Sequence, residues 1–263
     1  MKKWFKLLLA TCNRIYMVGT FRKKQKLILY YHGVLDHEVV NFEMQLDYLV
    51  RECRIVPLRE ILNTELNEKK TVIALTFDDA FANLLDNAIP QLRKRNIPAA
   101  IFAPAGNLGD YPKWTLPSGC ADADQLIMTA EQLTELDRLG YEIYSHTLTH
   151  KRLTQCSYEE VTSELADSKR KLESVLGHSI NAVSYPHGAV NETIIEIGKA
   201  SGYEYGFTID PQCLDSRRTV DHRIPRFCVL PSDGIYKFKL IAHGAFQIEH
   251  YLRALKKFVT RQK

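Results

Sequence analysis

The chain predicts an α/β fold, a parallel sheet with helices outside it that closes as a (β/α) barrel. Three observations carry this. Short β-rich runs alternate with amphipathic helical runs from residue 27 onward, which is the pattern of parallel strands joined by crossover helices. The 263-residue length lies in the range of one such barrel. Polar residues able to bind a metal follow strand after strand, where the active sites of barrels gather.

In order, residues 27–31 predict a strand, and 42–52 a helix with Phe42, Leu46 and Leu49 at helical spacing. Residues 71–77 predict a strand, 84–95 a helix and 99–103 a strand. Thr129 and Gln132 form a capping-box signature for a helix that Gly140 closes. A strand at 142–145 follows. Ser157 with Glu160 caps the next helix, which Gly177 ends. A strand at 182–185, a helix at 191–201, a strand at 205–208 and a helix at 236–258 complete the chain. Residues 104–128 form the one long irregular stretch, in which Trp114 is placed either to wall a sugar groove or to anchor the loop.

Composition is that of a globular protein, 45% hydrophobic and 25% charged. No apolar run reaches the ~18 residues of a membrane span. The six cysteines form no C-x-x-C pair, so neither a zinc ribbon nor a disulfide framework is indicated. The net charge of +4 is unevenly spread. Residues 1–26 hold eight Lys/Arg and no acid and residues 251–263 hold five more, which leaves 27–250 at −9. An acidic body argues against nucleic acid as a partner. In residues 1–18 a helical projection sets Lys2, Lys3, Lys6 and Arg14 opposite Trp4, Phe5, Leu8, Leu9, Ile15 and Tyr16. Such a segment suits an anionic membrane interface, or packs on the domain as an ordinary terminal helix. The sequence Leu9-Ala10-Thr11-Cys12 fits a lipoprotein cleavage site poorly, and no A-x-A-like site follows. The division read here is a basic amphipathic segment, 1–26, and a catalytic domain, 27–263. The expected location is cytoplasmic or peripheral on the inner face of the membrane.

Asp78 and Asp79 follow the strand at 71–77. Successive residues of extended chain point opposite ways, so one acid can hold a metal while the other faces a substrate as base. His146 and His150, four apart after another strand, can turn both rings to one side if the segment coils as a helical turn. Two nitrogens and one carboxylate oxygen leave coordination positions open, the signature of a catalytic metal. Ser184-Tyr185-Pro186-His187-Gly188 predicts a tight turn able to aim a backbone N–H at an oxyanion.

These motifs, with Arg223-Ile-Pro-Arg226 after them and in this order, resemble the polysaccharide deacetylases, the NodB-homology group or carbohydrate esterase family 4. The resemblance runs from about Leu27 to Phe227. It implies a distorted (β/α) barrel with fewer than eight regular strands, Asp78 as general base, and Asp79, His146 and His150 as ligands of zinc or a similar divalent ion. It implies deacetylation of an N-acetylated sugar in a polysaccharide or lipid-linked glycan. Three positions depart from the pattern. Ala80 replaces a glycine, Ser184 an arginine, and His187 a tyrosine or phenylalanine. The opening Leu27 to His32 is similar to the poly-N-acetylglucosamine deacetylase branch, which makes His32 the general acid and Arg226 the arginine that orients the base. Leu240-Ile-Ala-His243 offers a competing acid histidine. The His187 N–H is expected to bind the oxyanion, and Trp114 and Tyr185 to contact substrate. Two other readings stand: hydrolysis of a small amide or cyclic imide in the same fold, against which Trp114 and Tyr31 weigh as sugar-stacking aromatics, and a glycan-binding barrel without activity.

Overall fold

The computed structural model describes residues 11, 25–62, 70–114, 124–215, 221–248 and 250. Among the described residues eight strands are formed: β1 Lys26–Tyr31, β2 Cys53–Ile55, β3 Thr71–Phe77, β4 Ala100–Ala103, β5 Glu142–Ser145, β6 Ala182–Ser184, β7 Tyr205–Phe207 and β8 Phe227–Cys228. Seven lie on one path, β7-β6-β5-β4-β3-β1-β8, and β2 flanks the first half of β3. Every strand pairing is parallel. The chain from Ile224 to Cys228 draws the two ends together. Ile224 bridges Phe207 of β7, and Phe227 and Cys228 then pair with Leu29 and Tyr30 of β1.

Strand parity sorts the core. Leu27, Leu29, Tyr31, Ile73, Leu75 and Phe77 pack outward against the helices. Ile28, Val72, Ala74, Ala100, Phe102, Ala182, Phe207 and Ile224 fill the barrel, which Leu58 and Ile61 also line. Because alternate residues share a face, Tyr30, Thr76, Asp78, Ser184 and Arg226 carry the inward parity of these interior residues, one step nearer the carboxyl ends of the strands. The fold thus sets an acid and an arginine on the last inward layer of an apolar barrel.

The helical capping signals are realised. Thr129 accepts from the Gln132 N–H at the start of Ala130–Arg138, Ser157 does the same with Glu160 at Tyr158–Leu176, and Gly177 ends that helix at φ 77°. The helix expected at 84–95 is two helices, Asn83–Asn87 and Ile89–Lys94. Pro90 has no N–H to continue the ladder, so the break falls beside it. Of the helix expected over 236–258, the described residues form Ile235–Ala242 before Gly244 at φ 69° breaks it, and residues 249 and 251–258 lie outside the described residues. β2 and β8, only three and two residues long, have no sequence signal of their own. No described helix is long and apolar enough to cross a membrane. The amphipathic segment 1–18 lies outside the described residues except for Thr11, whose hydroxyl is 3.0 Å from that of Tyr236.

Candidate active site

At the end of β3 the Asp78 N–H still bonds to the Tyr31 carbonyl, extending the ladder by one residue. The chain then leaves the strand through two left-handed residues, Asp79 at φ 69° and Ala80 at φ 51°. The two acids therefore diverge through a turn, not through extended chain as the sequence suggests.

Asp78 is sealed. Arg226 grips it with two parallel bonds, Nη1 to Oδ1 at 2.8 Å and Nη2 to Oδ2 at 2.7 Å. Arg226 is itself 0% exposed. Its remaining donors reach Thr76 Oγ1, Ser184 Oγ and the Thr208 carbonyl, and its guanidinium lies 4.7 Å from the Tyr30 ring centroid and 5.2 Å from that of Phe102. A charge this deep persists only when paired and fully bonded. Burial by itself raises the Asp78 pKa, but Arg226, and after it His146, outweigh that and bring it down to about 2. Ser184 stands where the family pattern has arginine. Its small hydroxyl accepts from Arg226 at 2.6 Å, leaving the space that an arginine from another segment occupies.

Asp79 faces the other way. Its Oδ1 is 3.5 Å from His146 Nε2 and 3.3 Å from His150 Nε2, and its Oδ2 is 4.0 Å from His32 Nε2. One ligand atom from each of Asp79, His146 and His150 lies within 4.8 Å of the others, and all three residues are buried. Burial lowers the His146 pKa to about 4, and burial with the neighbouring His146 and His187 lowers that of His150 to about 2, so both rings are neutral near pH 7. His146 Nδ1 lies 2.8 Å from the Ser184 carbonyl. A carbonyl only accepts, so the ring proton is on Nδ1 and Nε2 presents a lone pair to the Asp79 carboxylate. A lone pair facing an anion in a buried site is the arrangement that a bound cation satisfies, and the donor set suits a divalent metal.

The segment 146–150 is not the helical turn that the spacing suggests. Thr147 at φ 65° and His150 at φ 61° are left-handed. The Trp114 ring stacks on that of His150, with centroids 4.2 Å apart and an interplanar angle of 25°. His187, at φ 59°, sits in the turn Pro186–Gly188 with its ring 5.1 Å from that of His150.

His32, at the end of β1, has a side chain 35% exposed, so it reaches both Asp79 and solvent. His243 is elsewhere: its Nε2 is 2.7 Å from the Tyr48 hydroxyl on the Val39–Glu52 helix, among the outer elements. Two expected substrate contacts are overturned. Tyr185 is 0% exposed. Its ring packs against Gly206, where an added Cβ would fall 2.5 Å from the tyrosine oxygen. Tyr31 is likewise 0% exposed, with its hydroxyl donating to Gln45. Neither ring can meet a sugar. Ser184, which donates to Asp78, and Thr76, which accepts from Arg226, carry no motif signal as parts of this clamp, although strand parity points to both. Glu164, on the Tyr158–Leu176 helix, belongs to no motif and carries no sequence signal.

A buried dihistidine–carboxylate cluster beside a clamped, ionised carboxylate, at the carboxyl end of a parallel barrel, is equipment for metal-assisted hydrolysis. The chain belongs to the polysaccharide deacetylase family, whose family model matches residues 65–206, more than half of it. That span contains Asp78, Asp79, His146, His150 and His187, but neither His32 nor Arg226. The chain is 27% identical over 151 residues to YxkH of Bacillus subtilis, described as a polysaccharide deacetylase, covering 57% of this chain and 49% of that protein. It is 25% identical over 209 residues to the poly-β-1,6-N-acetyl-D-glucosamine N-deacetylase of Staphylococcus aureus, covering 75% of this chain and 68% of that one. The chain thus spans about half the length of the first relative and about two thirds of the second. The fold is shared with IcaB from Ammonifex degensii (TM-score 0.69, 23% identity, 85% of this chain and 97% of that). It is also shared with the Streptococcus pyogenes deacetylase PplD (TM-score 0.68, 24% identity, 83% and 98%).

Proposed function

We propose that this chain hydrolyses the N-acetyl group of an N-acetylglucosamine unit in a glycan, either a polymer such as the one named for the Staphylococcus aureus relative or a lipid-linked sugar. The observation that carries the reading is the pairing of an ionised, arginine-held Asp78 with the Asp79–His146–His150 cluster in one barrel mouth.

Asp79, His146 and His150 would hold the metal, and zinc is the ion we propose for two imidazole nitrogens and one carboxylate oxygen. A divalent ion there supplies a more acidic water and polarises the acetyl carbonyl, which lets a base as weak as Asp78 suffice. Asp78 takes the proton from the attacking water, and Arg226 keeps that carboxylate ionised and fixed in direction. The His187 N–H donates to the developing oxyanion. His32 delivers a proton to the amine nitrogen, which leaves poorly without one. Trp114, half-buried, stacks on the His150 ring and would wall the sugar groove beside it.

The test is metal content together with acetate release from a panel: oligomers of β-1,6-linked N-acetylglucosamine, an N-acetylated lipid-linked sugar, simple amides and a cyclic imide. Acetate from the glycans alone, with His150→Ala lowering both metal content and turnover, is the expected result. Turnover of the imide alone would move the chain to the small-amide reading. Metal binding with no turnover of any substrate would leave a glycan-binding barrel.

We further propose that residues 1–22 attach the protein to an anionic membrane surface, at the cytoplasmic face. The acid-free cation cluster beside an apolar helical face supports this. Deleting these residues should abolish salt-sensitive binding to anionic liposomes and leave hydrolysis of a soluble substrate intact. Binding that ignores lipid charge and salt would contradict it.

A further inference from the structure

The His146–His150 segment converges two rings on Asp79 through a backbone that disfavours its own residues. Thr147 (φ 65°) and His150 (φ 61°) are both left-handed, and neither is glycine. Threonine, branched at Cβ, is especially ill suited to that region. Such a conformation persists only where the surroundings over-determine it.

The surroundings are specific. Glu164, on the Tyr158–Leu176 helix, is 3% exposed, and its Oε2 accepts from the Leu148 N–H at 3.0 Å and the Thr149 N–H at 2.8 Å. Its Oε1 accepts a short hydrogen bond from the Thr149 hydroxyl. The Thr147 N–H goes to Ser145 Oγ at 3.1 Å. That hydroxyl is held in turn by Ser168 of the same helix, at 3.0 Å. On the opposite side Ala105 and Gly106 donate to the Thr147 and Leu148 carbonyls. An added Cβ at Gly106 would fall 2.6 Å from the Leu148 oxygen, so the approach there is as close as glycine allows. A buried carboxylate whose partners are the three donors of one loop acts as a template for that loop.

We infer that Glu164 is the positioning residue of the metal site: it holds the His146–His150 loop in its left-handed form, so that both imidazole Nε2 atoms face Asp79 before any ion arrives. The inference rests on the reading of Asp79, His146 and His150 as metal ligands. It differs from that reading in having a consequence that needs no metal. In the metal-free protein the Leu148 and Thr149 amides should be strongly protected from hydrogen exchange. Glu164→Ala should abolish that protection while the amides of β1 and β3 keep theirs.

The experiment has two arms. Zinc affinity is measured by competition with a chromophoric chelator for the wild type, Glu164→Ala, Glu164→Gln and Thr149→Val. Hydrogen exchange is followed on the same proteins without metal. Glu164→Ala is expected to weaken zinc binding about 10–100-fold, the usual result of losing the partner that orients a ligand. Glu164→Gln, whose amide oxygen still accepts both N–H groups, should stay within about threefold of the wild type. Thr149→Val, which loses one bond of three, should fall between, and it keeps the test alive if Glu164→Ala does not fold. A Glu164→Ala or Thr149→Val protein with unchanged zinc affinity and unchanged loop protection, whatever its melting temperature, would overturn the inference. Loss of loop protection in a chain whose wild type binds no zinc would sink the metal reading and the positioning role with it, and leave only a loop template.

Discussion

On one wall of the mouth Asp78 is held by the guanidinium of Arg226 and the Ser184 hydroxyl, and Thr76 accepts from the same guanidinium. On the other wall its neighbour Asp79 faces the imidazoles of His32, His146 and His150. Both carboxylates are almost fully buried, at 2% and 3% exposure. Burial alone therefore cannot assign their roles. What separates them is the sign and mobility of the charge each environment provides. A permanent cation neutralises Asp78 and keeps it ionised, whereas the neutral rings of His146 and His150 give Asp79 no such charge, which a bound ion would supply.

The most severe way to break this contrast is Asp78→Asn. It removes the proton acceptor and leaves the imidazole wall untouched, so turnover should fall by about 10⁴-fold with metal content retained. Loss of metal in that variant, and not in Asp79→Asn, would exchange the two roles. His32→Ala probes the wall from its solvent side. Turnover of an amide should fall about 10²–10⁴-fold with metal retained, and an activated ester, whose leaving group needs no proton, should suffer far less. If His243→Ala gave that pattern in its place, the acid would have to be sought on the outer helix.

Arg226→Met sharpens the comparison through stability and pH. It strands a buried carboxylate, which typically costs about 3–5 kcal/mol. In the wild type the Asp78 pKa is depressed from 3.8 to about 2. Its contribution, on the order of 2 kcal/mol, is therefore present above pH 3.8 and lost as pH falls toward 2. The imidazole wall of the metal-free protein gives way earlier. The His146 pKa is lowered from 6.5 to about 4, so stability is lost as pH falls through that window. Thermal melts of metal-free protein should show both windows. In Arg226→Met the lower window should close, because burial raises the Asp78 pKa and the guanidinium that chiefly offsets it is gone. A melt profile of Arg226→Met parallel to the wild type below pH 4 would contradict the clamp.

The smallest effect lies at the hinge between the walls. Ala80 is left-handed at φ 51°. Ala80→Gly should relieve that strain, offset in part by the greater freedom of glycine in the unfolded chain, for a net gain under about 1 kcal/mol in the melting curve.

Much of this was legible in the chain itself. Strands at 71–77 and 142–145 were delimited by β-rich runs and their flanking polar residues, and the helix starts at Thr129 and Ser157 by capping, because these signals are local and depend on neighbours within a turn. The metal-competent trio was legible too, since each member follows a strand and barrels collect chemistry there. Three things were decided only by tertiary structure. Tyr185 and Tyr31 read as sugar-contacting aromatics, yet strand parity and packing bury both in the layer between the sheet and its outer helices, away from the barrel mouth. Arg226 had its role only through the resemblance, and it is the closing segment that carries it into the barrel, where its bond to Asp78 spans 148 residues. Glu164 carried no signal at all, because its partners are backbone N–H groups of a loop on another element, and every sequence offers backbone N–H groups everywhere. Periodicity and caps are properties of adjacent residues and survive in one dimension. The partner of a buried charge is a property of which segments the closed barrel brings together.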